Sequence, residues 1–261
     1  MNQWYFNPIL AEIGPFKIHW YGVMYAVSFI LGYFYLHYSE HGKRLKINGE
    51  QKDLFLALII ACVLIGGRLG YVLFYNLPFY LANPTKIIAV WEGGMSFHGG
   101  LIGCAIGILW FCRKYRVKFL ELGDVAAAFA PLGVMFVRIG NFINGELYGR
   151  IATQFCLYFP SDPTNCRYPS QLFQALLEGL ILFLILFFIR KYTKRPGVIS
   201  AWFLILYGVF RIIVEQFREP DVQIGYLFGG ITEGQLLSSI MILAGISIFI
   251  FLRKKQLSKP L

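Results

Sequence analysis

Seven apolar runs divide the chain, at roughly residues 19–38, 53–75, 97–112, 120–139, 169–189, 197–216 and 232–252. A helix needs about 20 mostly apolar residues to cross the hydrocarbon core of a bilayer. Inside that core every backbone N–H and C=O must be satisfied without water, which leaves only helices and closed barrels as spanning structures. Runs of this length are helices, because a spanning strand needs only about 9–11 residues. The expectation is an all-α polytopic membrane protein with seven transmembrane helices, forming a single membrane domain over residues 1–261. Composition agrees: the chain is 57% hydrophobic and 15% charged, whereas a soluble domain carries about 25% charged residues. No internal repeat is evident, which weighs against an inverted-repeat transporter.

The basic residues orient the expected spans. Lys43, Arg44, Lys46 and Lys52 follow the first run, and Arg113, Lys114, Arg116 and Lys118 follow the third. Arg190, Lys191, Lys194 and Arg195 follow the fifth; Arg253, Lys254, Lys255 and Lys259 follow the seventh. These sixteen of the 24 basic residues fall on one side of a seven-span arrangement, and the excess of Lys and Arg marks the cytoplasmic side. The N-terminus is then outside and the C-terminus cytoplasmic. The net charge of +10 is loop charge of this kind, so the nucleic-acid binding that a basic soluble protein would imply loses its support. Met1 to Lys17 has neither a basic n-region nor a small-residue cleavage site, so no cleaved signal peptide is expected and the first span serves as the insertion signal. The five cysteines form no CxxC and no metal-ligand spacing. The longest outer connection, roughly 140–168, is expected to form a small external cap between spans four and five. It holds Cys156 and Cys166, which in this topology face an oxidising compartment where a disulfide can form.

The eight remaining basic residues are Lys17, Arg68, Lys86, Arg138, Arg150, Arg167, Arg211 and Arg218. Arg68, Arg138 and Arg211 fall within spans or at their ends, where a charge is expensive and marks function by default. At about 1.5 Å rise per residue, Arg68 and Arg211 lie roughly 22 and 20 Å from the inner edges of their spans. Arg138 sits near the outer end of span four, and His98 begins span three from the outside. All four groups belong to the outer part of the membrane. A single arginine there can snorkel to the interface; three arginines and a histidine at matched depth point to a shared anionic site. Arg suits that role, because its planar guanidinium grips phosphate bidentately and stays charged.

The densest polar stretch is Arg138-Ile139-Gly140-Asn141-Phe142-Ile143-Asn144-Gly145-Glu146-Leu147-Tyr148-Gly149-Arg150. Its glycines permit tight turns, Asn141 and Asn144 offer amide donors and acceptors, and Glu146 can orient an arginine or take a proton. In span six, Tyr207, Arg211, Glu215 and Arg218 recur on one helical face. A structural Arg211–Glu215 ion pair accounts for part of that pattern but not for Tyr207. Trp91 to Gly100 brings a glycine-rich flank to His98. Gly66-Gly67-Arg68-Leu69-Gly70-Tyr71 reads as helix packing through small residues, which leaves Arg68 unexplained. Tyr21, in the aromatic start of span one, is a candidate neighbour of the site.

The Arg138–Arg150 stretch closely resembles the signature of the prolipoprotein diacylglyceryl transferases, bacterial inner-membrane enzymes. The resemblance extends to Trp20-Tyr21-Gly22, Gly67 to Tyr71, Met95 to Gly100, and Tyr207-Gly208 through Arg211, Glu215, Arg218 and Asp221. It covers nearly the whole chain. One departure is visible. Where members of the family commonly have His-Pro-Ser-Gln-Leu-Tyr-Glu, this chain has Tyr168-Pro169-Ser170-Gln171-Leu172-Phe173-Gln174, which weakens the case for an essential role at the three replaced positions.

The resemblance implies seven spans with the orientation found above, and a multi-pass enzyme of the bacterial inner membrane. It implies transfer of the diacylglyceryl group of phosphatidylglycerol to the lipobox cysteine thiol of a prolipoprotein signal peptide, giving a thioether and glycerol phosphate, with no metal or organic cofactor. Candidate catalytic residues are His98, Arg138, Arg211, Tyr207 and Glu146. Arg138, Asn141, Asn144, Gly149, Arg68, Tyr21, Arg211 and Glu215 are candidates for holding phosphatidylglycerol. His98 is the candidate base for the thiol and Glu146 the alternative. Two other functions compete: a lipid or small-anion transporter using the same arginines, and a non-catalytic lipid-binding protein.

Overall fold

The computed structural model describes residues 6–14, 16–90, 94–220, 225–227 and 230–257. Trp91, Glu92 and Gly93 of the glycine-rich flank, together with Asp221, Lys259 and the first five residues of the N-terminal segment, lie outside the described residues. The fold is mainly helical. Among the described residues, five helices are long and apolar enough to cross a membrane: Gly49–Phe74, Phe119–Ile143, Ser170–Tyr192, Val198–Glu215 and Glu233–Lys254. The other two expected spans are helices of 19 residues, Trp20–Tyr38 and Phe97–Tyr115. The first is diluted by five tyrosines and the second by four glycines and a basic last turn, so neither is among those five.

The chain divides into two compact units, residues 33–123 and residues 1–32 with 124–261. In the 33–123 unit, α1 (Trp20–Tyr38) ends and is followed by α2 (Glu40–Arg44), α3 (Gly49–Phe74), α4 (Leu77–Ala82), a 3-10 turn (Pro84–Ile88) and α5 (Phe97–Tyr115). Asn48 starts α3 with a reciprocal cap: its Oδ1 accepts the Gln51 N–H at 2.8 Å, and the Gln51 side chain accepts the Asn48 N–H at 3.0 Å. The helices α3 and α5 pack backbone to backbone. A Cβ on Gly66 or Gly99 would run into the other's carbonyl oxygen, so the small residues serve helix packing, as their spacing predicts.

The larger unit opens with a hairpin of β1 (Ile9–Ile13) and β2 (Phe16–His19), paired antiparallel. It then holds the start of α1, and α6 (Phe119–Ile143) from Asp124 onward. A second hairpin, β3 (Leu157–Phe159) with β4 (Asp162–Arg167), lies in the expected cap. Both hairpins were missed by the all-α expectation, because short amphipathic strands outside the apolar runs leave little periodic signal. Next come α7 (Ser170–Gln174), a π-helical turn (Ala175–Ile181) and α8 (Leu182–Tyr192), continuous as one helix. The unit closes with α9 (Val198–Glu215) and α10 (Glu233–Leu257).

Two features hold this unit together. Asp124, on α6, caps the first turn of α9: its carboxylate accepts the N–H groups of Gly197 at 2.8 Å and Ser200 at 2.7 Å, and the Ser200 hydroxyl at 2.7 Å. That satisfies helix N-terminal donors that have no partner of their own. Gly208 lets α10 approach α9, where a Cβ would stand 2.7 Å from Ile242 and 2.8 Å from the Ser238 carbonyl.

Polarity is distributed as in a protein whose solvent is lipid. Ile65, Leu73, Phe188, Leu243 and Ile250 are exposed, while Arg68, Asp124, Glu178, Arg211 and Glu215 are buried. Water would favour the reverse, whereas hydrocarbon favours it as found.

Candidate functional site

The geometry begins with the end of α6. The helix does not stop at residue 139, as the apolar run predicts, but continues to Ile143. It ends there because Gly145 adopts a φ of +67°. The Glu146 N–H reaches the Asn141 carbonyl, and the Gly145 N–H that of Phe142, both at 3.1 Å. This pairing of the last carbonyls is the Schellman termination. As a result Arg138 lies more than a turn inside the helix, and Asn141 shares its face. The cap therefore begins at Asn144 rather than at residue 140.

A chain of hydrogen bonds runs out from Arg138. Its Nη1 donates to Asn141 Oδ1 at 3.2 Å, Asn141 Nδ2 donates to Glu146 Oε1 at 2.8 Å, and Asn144 Nδ2 donates to the same oxygen at 3.3 Å. The carboxylate thus fixes Asn141, which in turn aims its carbonyl at Arg138. Tyr21 packs on Gly140, where a Cβ would stand 3.0 Å from its ring. Its hydroxyl lies 3.3 Å from that of Tyr25, within the electrostatic reach of Glu146 and Arg138.

The second centre is on α9. Arg211 Nη2 lies 3.0 Å from Glu215 Oε2, one turn on, and Arg211 Nη1 lies 3.7 Å from Glu178 Oε1. Arg218 Nη1 stands 4.0 Å from Glu215. The Thr232 hydroxyl donates to Glu215 Oε1 at 3.0 Å, so Glu215 also ties α9 to the start of α10. Gly234 makes room for this, because a Cβ there would sit 2.7 Å from the carboxylate. Tyr207 lies beside Glu178 and Arg211, and Arg138 also acts on its hydroxyl electrostatically. Buried ions need partners of opposite sign. Buried Arg211 has them in the buried carboxylates of Glu178 and Glu215.

Gly149 has a different setting from the one its motif predicts. Its N–H donates to the Tyr168 carbonyl at 2.8 Å, and it bridges to Arg218. A side chain would strike the Phe217 carbonyl. Its glycine is required by the docking of the cap on the end of α9. Arg150 reinforces that junction, donating to the Arg218 carbonyl at 2.9 Å. In the cap itself, Cys156 and Cys166 form a disulfide, and Arg167 pairs with Asp162 and, at 3.2 Å, with Glu219. The Arg167 hydrogen bond holds the Asp162 carboxyl below the usual carboxylate range.

Arg68 and His98 belong to the 33–123 unit. Arg68 donates from Nε to the Ile87 carbonyl at 2.9 Å, from Nη1 to Gly94 at 3.1 Å and from Nη2 to Lys86. Its guanidinium also lies 5.1 Å from the Tyr80 ring centre. Arg68 therefore orders the connection from α4 to α5. His98 is half-buried in the first turn of α5, where the Ser96 hydroxyl caps the helix by accepting the Gly99 N–H at 3.2 Å.

Sequence reasoning missed Glu178 and read Gln171 and Gln174 only as part of the family motif, with position 174 one of its departures; all three are fully buried. Glu178 interrupts the fifth apolar run, and an ionisable residue inside a span is a signal that could have found it. The π-helical turn that carries it is a frequent mark of functional positions.

The sequence profile of the family "Prolipoprotein diacylglyceryl transferase" matches residues 8–251. The chain is 43% identical over 267 residues to the phosphatidylglycerol–prolipoprotein diacylglyceryl transferase of Bradyrhizobium diazoefficiens, covering 98% of this chain and 95% of that protein. It is 46% identical to the protein of that name from Rhodospirillum rubrum, over 98% and 94% of the two chains. With that from Azospirillum brasilense it shares 48% identity over 92% of each.

Proposed function

The chain belongs to the prolipoprotein diacylglyceryl transferase family, and we propose that it transfers the diacylglyceryl group of phosphatidylglycerol to the lipobox cysteine thiol of prolipoproteins. The observation that carries this reading is the full-length similarity to proteins of that name. The arginine cluster on α6 and α9 supplies the matching chemistry. The enzyme is one multi-pass domain in the bacterial inner membrane. It has seven spans, its N-terminus outside, its C-terminus in the cytoplasm and its cap at the outer face.

In the reaction the thiol sulfur attacks the glyceryl carbon next to the phosphate. A carbon–sulfur bond forms, the carbon–oxygen bond breaks, and the electron pair leaves with glycerol phosphate. The thiol proton passes to a base, for which His98 is the candidate. A thiol has a pKa near 8.5, so removing that proton assists the attack. Negative charge grows on the departing phosphate, and preorganised cations stabilise it. Arg138 and Arg211 perform that task, Asn141 and Glu146 hold Arg138 in place, and Glu215 holds Arg211. Glu146, already engaged by two amides, is better suited to orienting than to proton transfer. Tyr207 completes the phosphate site, with Tyr21 and Asn144 at its edge. Gly149 and Arg68 act on the lipid indirectly, through the cap junction and the connection that leads to His98.

Purified protein incubated with labelled phosphatidylglycerol and a lipobox peptide should yield a thioether-linked product. A transporter or a passive lipid-binding protein yields none. Arg138→Ala should lower the rate by about 10²–10³-fold, and His98→Gln should lower it by about 10²-fold or more. Near-full activity in either variant removes that residue from its assigned role.

A further inference from the structure

One helix face holds more buried polar atoms than the Arg211 cluster uses. Gln171, Gln174 and Glu178 are fully buried, and spacings of three and four place them in one stripe. At one end Gln171 Nε2 donates to the Glu146 carbonyl at 2.6 Å; at the other Glu178 stands 3.7 Å from Arg211. Gln174 lies between the two, and among the described residues neither Nε2 nor Oε1 of its amide has a hydrogen-bond partner; Gln171 Oε1 has none there either. A buried amide is expensive to leave unpaired. A chain that needed only to fill this volume would do better with Met or Leu.

We propose that Gln174 is a specificity-determining residue that reads the hydroxyl groups of the phosphatidylglycerol headgroup. The proposal rests on the assignment of Arg138 and Arg211 to the phosphate. A hydroxyl both donates and accepts, and a primary amide offers both complements. Glu178, one turn from Gln174, is a further acceptor. The headgroup glycerol is bonded directly to the phosphate, so a phosphate on Arg211 brings its hydroxyls to the neighbouring side chains. Sites built to hydrogen-bond a hydroxyl discriminate strongly against analogues that lack it, because their own polar groups are then left unpaired.

The test compares phosphatidylglycerol with phosphatidylmethanol, which has the same charge and no headgroup hydroxyl, as donors in the thioether assay. The wild-type protein should favour phosphatidylglycerol by about tenfold or more in kcat/KM. Gln174→Met should bring that ratio close to one by raising KM for phosphatidylglycerol, while its melting temperature holds or rises. An unchanged ratio in Gln174→Met overturns the proposal, because the amide is then satisfied by buried water or serves packing alone. If the variant does not fold, competition on the unaltered protein decides. Glycerol 1-phosphate should inhibit about tenfold more strongly than methyl phosphate, and equal inhibition overturns the proposal. A wild-type protein that makes no thioether from phosphatidylglycerol refutes instead the transferase reading on which the proposal rests.

Discussion

Arg68 and Arg211 are both buried arginines in long apolar helices, 4% and 8% exposed, yet their surroundings differ in kind. Arg68 is held by backbone carbonyls of Lys86, Ile87 and Gly94; Arg211 is held between the carboxylates of Glu178 and Glu215. Carbonyl dipoles use up the hydrogen-bonding capacity of a guanidinium in organising backbone. Carboxylates balance its charge and restrain its geometry, but a phosphate can compete with them for the same fork of donors. A buried arginine on carbonyls organises a loop, and one between carboxylates is equipped to exchange partners with an anionic ligand. Arg167 in the cap supplies a further contrast: half-buried, it also pairs with acids, but outside the apolar helices.

The sharpest way to break this comparison is Arg211→Ala. It should reduce thioether formation by about 10²–10³-fold. It should also destabilise the protein by about 3–5 kcal/mol, because Glu178 and Glu215 are left buried without their cation. Measured activity and thermal unfolding in the same detergent give both quantities, and a fully active variant would place the phosphate elsewhere. Arg68→Lys comes next. Lysine keeps the charge but lacks the rigid fork that spans three carbonyls, so stability should fall by about 2–4 kcal/mol while KM for phosphatidylglycerol changes little. A large KM effect with unchanged stability would assign Arg68 to the lipid directly and erase the contrast with Arg211.

The cap tests the part of the comparison that lies outside the apolar helices. Replacing Cys156 and Cys166 together by Ser removes a bridge across a short loop, worth about 2–3 kcal/mol to the cap, which protease susceptibility at 150–168 would register. Transferase activity should fall only as far as the cap's docking on α9 loosens. The smallest effect concerns Asp162. Its folded carboxyl titrates below the usual range, so the pairing contributes fully above the ordinary value of about 3.9. That contribution is lost as pH falls through the lower folded value. Asp162→Asn should flatten the acid limb of the cap's stability profile by slightly lowering its neutral-pH stability, where the pairing contributes, and leaving its stability in acid nearly unchanged. An unaltered acid limb would remove Asp162 from that role.

Particular residues show how much of this was legible. Arg138, Asn141 and Glu146 lie within a few positions of each other, and local geometry brings them together once α6 ends in its Schellman turn. Arg211 and Glu215 share a helix face through a spacing of four. These pairings needed only helical periodicity. Gly149 was read as a binding glycine, but the reason for its missing side chain is a carbonyl almost seventy positions away, at Phe217. No local pattern could have exposed that. Glu178 was visible in principle as a charge in an apolar run. Gln174 was visible only as a departure from a family pattern, and its full burial with an unpaired amide required the fold.

Apolar run length and the clustering of basic residues suffice, from sequence alone, to define helices that suit a bilayer and the polar stretch that punctuates them. The physical basis is local, because hydrocarbon forces each segment to satisfy its own backbone. Tertiary structure alone decided which distant polar groups face one another: Glu178 against Arg211, Arg68 on carbonyls, Asp124 capping α9 and Cys156 bonded to Cys166. Ion pairs, caps and disulfides depend on distances across the packed chain, and those distances follow from which helices lie side by side.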